Sequence, residues 1–271
     1  MTGPLLLLKL SLKRARLLLV ATGLLLAAFQ MLMVLIAGSL HSAGDFEQLA
    51  ALLPPAVREI LGPSLASVMS FGGIACLGYF HLGITIALLS LTIALATLPA
   101  SEVETGFADL ILARPLARHW IITRTIVLVS LSSSAMLMVM MAGTWAGLAM
   151  YAPPNAAWPS LRIVGSLALN LGLLLWCWSG IATAFGATCR RGVAGATTGL
   201  LALAAFILDY AGRLWPPAEK FAWLSPFRYF VPFDLVMGSP LPVENLVVLW
   251  AVAMTGFVVA YLVFSQRDIS H

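Results

Sequence analysis

From Leu17 to Ile36 the chain carries no charged residue. About 20 apolar residues in a helix cross the roughly 30 Å hydrocarbon core of a bilayer. Inside that core every backbone N–H and C=O must be bonded within the protein, so such a segment has little choice but to be helical. Comparable apolar runs recur at 81–98, 125–150, 161–185, 193–208 and 246–264. These six runs dictate an all-α membrane protein, with residues 1–271 forming a single transmembrane domain of six transmembrane helices. Composition agrees, since hydrophobic residues are 61% of the chain and charged residues 10%. A soluble domain carries about a quarter charged residues.

The net charge of +4 does not imply a nucleic-acid partner, because the bases flank apolar runs, where membrane topology puts them. Lys9, Lys13 and Arg16 fall at i, i+4 and i+7 and form one helical stripe, with Leu5, Leu6, Leu7, Leu8 and Leu10 covering much of the rest. Residues 1–16 therefore read as an amphipathic interfacial helix whose basic stripe anchors on anionic lipid headgroups. An ordinary basic flank that only fixes orientation is the simpler alternative. The apolar run that follows is too long for a cleaved signal sequence.

Between the spans lie segments suited to the far membrane surface. Residues 41–64 contain FEQLAALL and AVREILG, two short amphipathic helices broken at Pro54-Pro55. Residues 66–80, interrupted by Gly72, Gly73 and Gly78, read as a partly re-entrant segment, with His81 where it meets the next span. Residues 209–245 are rich in aromatics, which favour the headgroup zone. Asp209 and Arg213 in that stretch can pair at i, i+4. Gly195 and Gly199 have the GxxxG spacing of closely approaching helices, within the chain or between two copies. Cys76, Cys177 and Cys189 lie in or beside apolar runs without metal-site spacing, and read as small buried hydrophobes.

The distribution of bases orients the chain. Lys9, Lys13, Arg14, Arg16, Arg114, Arg118, Arg124, Arg190, Arg191 and Arg267 fall on one side of the six-span layout. Arg58, Arg162, Arg213, Lys220 and Arg228 fall on the other. The side with more bases is cytoplasmic. A multi-pass protein of the cell's inner (plasma) membrane with both termini cytoplasmic is expected.

Catalytic signatures are missing from the sequence. It contains no GxxxxGK[ST], HExxH or GxSxG. No metal site or cofactor of its own is expected, and the chain is not expected to be an enzyme. The spans carry almost no ionisable residue at mid-depth, where an ion-coupled transporter keeps them. Energy for uphill transport would have to come from another chain.

That directs attention to SEVETGFADLILARPLARHWIITR, Ser101–Arg124, a charged interval between two apolar runs. Helix from Thr105 to Ala113 would align Phe107, Leu110 and Ile111 on one apolar face. Glu102, Glu104 and Asp109 lie toward its N-terminal half and Arg114 at its end, as the helix dipole favours. Pro115 then turns the chain. Arg118 and Arg124 sit at headgroup level near the third span. A polar loop that only links two spans is the plainer reading.

Glu104, Gly106, Leu110, Leu112, Pro115, Arg118 and Arg124 stand in the order E-x-G-x-x-x-L-x-L-x-x-P-x-x-R-x-x-x-x-x-R. This resembles the segment between the second and third spans of ABC-2 type transporter permeases. Phe107 and Thr105 depart from that pattern, where Thr and a charged residue are common. The resemblance implies that residues 101–118 form a cytoplasmic coupling helix docking on a separate ABC ATP-binding subunit. Glu102, Glu104, Gly106, Phe107, Asp109, Leu110, Arg114, Pro115 and Arg118 would make the contact. It further implies ATP and Mg on that partner, a second permease copy or homologue in the membrane, and export of a hydrophobic or amphipathic substrate. A non-transporting scaffold or sensor, recruiting a soluble partner through the same helix, is the alternative function.

Overall fold

The computed structural model describes residues 3–43, 54, 68–105 and 119–266. They contain helices and no strand. In order these are α1 (Gly3–Ala43), α2 (Phe71–Ala75), α3 (Leu82–Ala96), α4 (Leu98–Glu104), α5 (His119–Tyr151), α6 (Leu161–Thr188), α7 (Arg191–Leu214), α8 (Pro216–Glu219), α9 (Pro232–Val236) and α10 (Val243–Gln266). Among them, α1, α5, α6, α7 and α10 are long and apolar enough to cross a membrane, and α3 with α4 makes a sixth span if that bent pair counts as one. Residues 44–53 and 55–64, with both amphipathic helices expected there, lie outside the described residues.

The expected division between an interfacial helix at 1–16 and a span at 17–36 is absent. α1 is one uninterrupted helix of 41 residues, about 60 Å long at 1.5 Å per residue. No proline or glycine occurs between Leu5 and Thr22, and leucine dominates the run, so nothing breaks the helix there. Leu8, Leu12, Ala15 and Leu19 pack against the core that also holds Leu26. Lys9, Lys13 and Arg16 are exposed on the opposite side. The basic stripe is thus carried on the lower part of a rod packed along the bundle.

Successive rods alternate in direction. One end gathers Ile121 and Ile122 of α5, Ala187 of α6, and Ala260 and Phe264 of α10, with Leu7 of α1 and Val103 of α4 packed on them. It carries Lys9, Lys13, Arg14, Arg16, Arg124, Arg190 and Arg191, and we term it the basic end. The opposite end gathers Val34 and Ala37 of α1, Phe71, Ile74 and Ala75 of α2, and Leu148 of α5. The segment between α7 and α10 joins this aromatic end.

Glycines set the closest helix approaches. A Cβ on Gly143 would lie 2.9 Å from the Cα of Ala27, and one on Gly147 3.1 Å from the Cα of Met31, so α5 rides on α1 backbone to backbone. Gly180 of α6 meets Ala253 and Gly256 of α10 in the same way. The pair singled out from the sequence, Gly195 and Gly199, does none of this, because a Cβ at either position meets nothing within 4 Å. No other helix among the described residues closes on that pair. Gly195→Ala and Gly199→Ala are expected to leave the monomer's stability unchanged or to raise it by about 0.5–1 kcal/mol, the helix-propensity difference between the two residues. Thermal unfolding of each variant in detergent checks this.

Two irregular segments pack into the bundle at the aromatic end. Phe71, Ile74, Ala75, Cys76 and Tyr79 are buried, and the Tyr79 hydroxyl lies 3.1 Å from Thr144 Oγ1 on α5. Thr144 donates its own proton to the Met140 carbonyl, which makes Tyr79 the donor. His81 precedes the first turn of α3, is exposed, and lays its ring 5.1 Å from that of Phe29. In the second segment Ser225 donates to the Ala205 carbonyl at 2.7 Å, and Val231 N–H donates to Asn170 Oδ1 at 3.2 Å. These bonds pin irregular backbone deep against α6 and α7. Phe227 is consequently buried between Phe206 and Trp178, while Trp215, Phe221 and Trp223 stay exposed. The aromatic stretch is thus part core and part surface.

Candidate coupling site at the basic end

The site begins where α3 stops. Pro99 cannot donate the next helical hydrogen bond and its ring crowds the preceding turn. The chain bends by 41° between α3 and α4. Gly186 of α6 lets the bend settle closely, since a Cβ there would lie 3.2 Å from the Ala96 carbonyl oxygen and the Thr97 Cα. α4 then carries Ser101, Glu102, Val103 and Glu104 across the basic end.

Glu102 and Glu104 are two residues apart, so on a helix they point to different neighbours. Glu102 faces α5. Its Oε2 accepts from Arg124 Nη2 at 2.6 Å, and the two side chains are 9% and 2% exposed. Removing two charges this far from water costs several kcal/mol per ion, offset only by close pairing. The 2.6 Å contact supplies that pairing, although Arg124 Nε has no hydrogen-bond partner among the described residues. Glu104 faces α7. Its Oε1 accepts the backbone N–H of Arg191 at 2.9 Å. The first N–H groups of a helix lack internal partners and sit at the positive end of its dipole. Arg190, the residue in the N-cap position, makes no side-chain cap bond, so the acid of another helix supplies it. The Arg191 side chain returns the contact, donating from Nη1 to Ser101 Oγ at 3.3 Å.

The result is a three-way clamp. α4 is held to α5 by a buried ion pair, to α7 by a carboxylate cap, and to α6 and α10 through Val103 in the apolar cluster beneath it. The chain leaves this clamp at Thr105 and returns to it as α5. Gly106, Phe107, Asp109, Leu110, Arg114, Pro115 and Arg118 lie between those points and outside the described residues. Of the residues expected to meet a partner, Glu102 and Glu104 make contacts within the chain, to Arg124 and to the Arg191 backbone. Arg124, expected at headgroup level, is buried. From the sequence Arg191 is only one of the bases that orient the chain, and Ser101 only the start of the charged interval. Opposite charges on one side of the topology were the available signal, but it does not say which acid meets which base. Among the described residues no three His, Cys, Asp or Glu side chains are grouped to hold a metal ion.

No known protein family, curated protein or solved structure matches the chain.

The clamp sets α4 as a short segment between two spans, tied by polar contacts to a third.

Proposed function

We propose that this chain is the membrane-spanning, non-catalytic subunit of an ATP-driven transporter of the ABC-2 permease type, exporting a hydrophobic or amphipathic substrate. The observation that carries this reading is the clamp at α4. A force applied to the segment after Thr105 would reach α3 through the bend, α5 through Glu102 and Arg124, and α7 through Glu104 and Arg191. A separate ATP-binding subunit, holding ATP and Mg, would seat on residues 101–118, and its closure would bias the bundle between two arrangements. The basic end would face the cytoplasm under the positive-inside rule, with both termini there. Two copies, or one copy and a homologue, would enclose the pathway.

Coexpression with a candidate ATP-binding subunit tests the docking. The chain alone is expected to hydrolyse no ATP, and the subunit to copurify with it. Pro115→Leu is expected to release the subunit while the membrane protein stays folded. Glu104→Lys would also release it, but it removes the cap of α7 as well, which makes Pro115→Leu the cleaner variant. Retained binding and transport in Pro115→Leu would sink the docking role. Hydrolysis by the complex that never responds to an apolar compound would favour the scaffold reading.

A further inference from the structure

An ionisable side chain buried on a membrane-spanning helix is kept for a partner or a ligand. Asp209, on the last turns of α7, is such a residue. It is 7% exposed, and its Oδ2 is held by Arg213 Nε and Nη2, each at 3.0 Å. Its Oδ1 has no hydrogen-bond partner among the described residues. Arg213 is about one-third exposed and extends toward the surface, so the carboxylate is the more sequestered and less satisfied half of the pair.

Asp209 and Arg213 line a cavity of about 240 Å³ whose other walls include Phe80, Phe206, Tyr210, Phe227, Phe230 and Phe233. The rings are arrayed edge to face, Phe80 with Phe233 at 5.4 Å and Phe206 with Phe227 at 5.6 Å. Aromatic faces attract cations and repel anions. Next to it, toward the basic end, lies a second cavity of about 270 Å³ between α3 and α7, walled by Ile86, Leu89, Ile93, Ala202 and Leu203. The two share Leu82, Thr85, Phe206 and Phe227. Each is slightly small for a drug-sized ligand, and together they reach the roughly 300–1,000 Å³ of such sites.

We propose that this cleft binds an amphipathic organic cation. Its charged head would lie among the aromatic rings beside Asp209, and its hydrocarbon tail would lie along α3 and α7. The inference names a substrate class for the transport reading above and rests on that reading for its physiological meaning. Its test uses the isolated chain and no ATP-binding subunit, so its failure is distinguishable from a failure of docking.

The full chain is reconstituted in nanodiscs of zwitterionic lipid, with empty nanodiscs correcting for partition into lipid. Saturable binding of radiolabelled decyltrimethylammonium is measured, with decanol and decyl sulfate as competitors of equal chain length. The cation is expected to bind saturably, with decanol competing at least about tenfold more weakly and decyl sulfate more weakly still. Asp209→Asn, close in shape, is expected to weaken the cation about tenfold while leaving competition by decanol unchanged. Arg213→Gln removes the rival positive charge and is expected to tighten the cation about threefold. Equal competition by cation and alcohol in the unaltered chain would overturn the proposal in favour of a plain apolar groove. Weaker cation binding by Arg213→Gln in a chain that unfolds at the unaltered temperature would overturn it in favour of a zwitterionic ligand. The headgroup comparison on the unaltered chain decides the matter even if a variant fails to fold.

Discussion

Replacing Glu102 by Gln is expected to lower the stability of the folded bundle by about 3–5 kcal/mol, the usual cost of leaving one member of a buried ion pair without its counter-charge. Arg124 is 4% exposed and is shielded from bulk solvent. Its Nε is already without a partner, so loss of the Glu102 carboxylate would leave the guanidinium without its only ion-pair partner among the described residues. Unfolding by SDS titration of the reconstituted chain reads the loss. The double replacement Glu102→Met with Arg124→Leu supplies the control. Exchange of a buried pair for apolar residues of similar volume is often neutral or stabilising, so most of the loss should be recovered. A double variant as unstable as the single one would show that the pair itself is not what holds α4 to α5. If the clamp conveys force, the recovered double variant should still fold and bind an ATP-binding subunit, yet hydrolyse ATP without transport.

Gly256→Leu is expected to be the most damaging single change in the spans. A Cβ at Gly256 would be 2.9 Å from the Ile181 backbone nitrogen and would overlap the Gly180 backbone, and a Cβ at Gly180 would lie 2.8 Å from the Ala253 Cα. The obstacles are main-chain atoms, which no rotamer change moves. Overpacking of a well-filled core costs typically 1–3 kcal/mol, and with backbone opposed to backbone we expect about 3 kcal/mol or more. The check is the yield of monodisperse protein and its SDS midpoint, compared with Gly199→Ala, where the added methyl meets open space. Equal behaviour of the two variants would contradict the packing of α6 against α10. Helix association in lipid relies on close van der Waals contact more than on hydrophobic driving force, which is why separating these two backbones is so costly.

The two variants probe different parts of one device. The contact at Gly180 and Gly256 brings α6 and α10 together backbone to backbone. The clamp at Glu102 and Glu104 ties α4 to α5 and α7 at the basic end, while α5 also rides on α1 at Gly143 and Gly147.

Helical periodicity and length sufficed to read the rods from the residues. An uncharged run of span length has one backbone solution in a bilayer, so the runs at 125–150, 161–185, 193–208 and 246–264 fall within α5, α6, α7 and α10. The pairing of Asp209 with Arg213 was equally legible, because four residues on a helix is a local distance. Local spacing does not show which distant stretches meet. GxxxG at Gly195 packs on no helix of the same chain among the described residues, whereas the same spacing at Gly143 and Gly147 carries α5 against α1. The spacing records only that a backbone can be approached, and which neighbour does so is a tertiary fact. The break expected after Arg16 had no breaker behind it, and the helix runs through.

By itself, then, the sequence determined a bundle of apolar helices, its alternating course and the side on which most of its bases collect, because hydrophobic length and local spacing act within one segment at a time. Only the tertiary structure decided that Glu102 pairs with Arg124, that Glu104 caps α7, and that Asp209 keeps one oxygen without a hydrogen-bond partner among the described residues, beside a ring of aromatics. Those outcomes depend on which of several chemically equivalent partners the packing brings within about 3 Å, and a charge in a sequence carries no record of that.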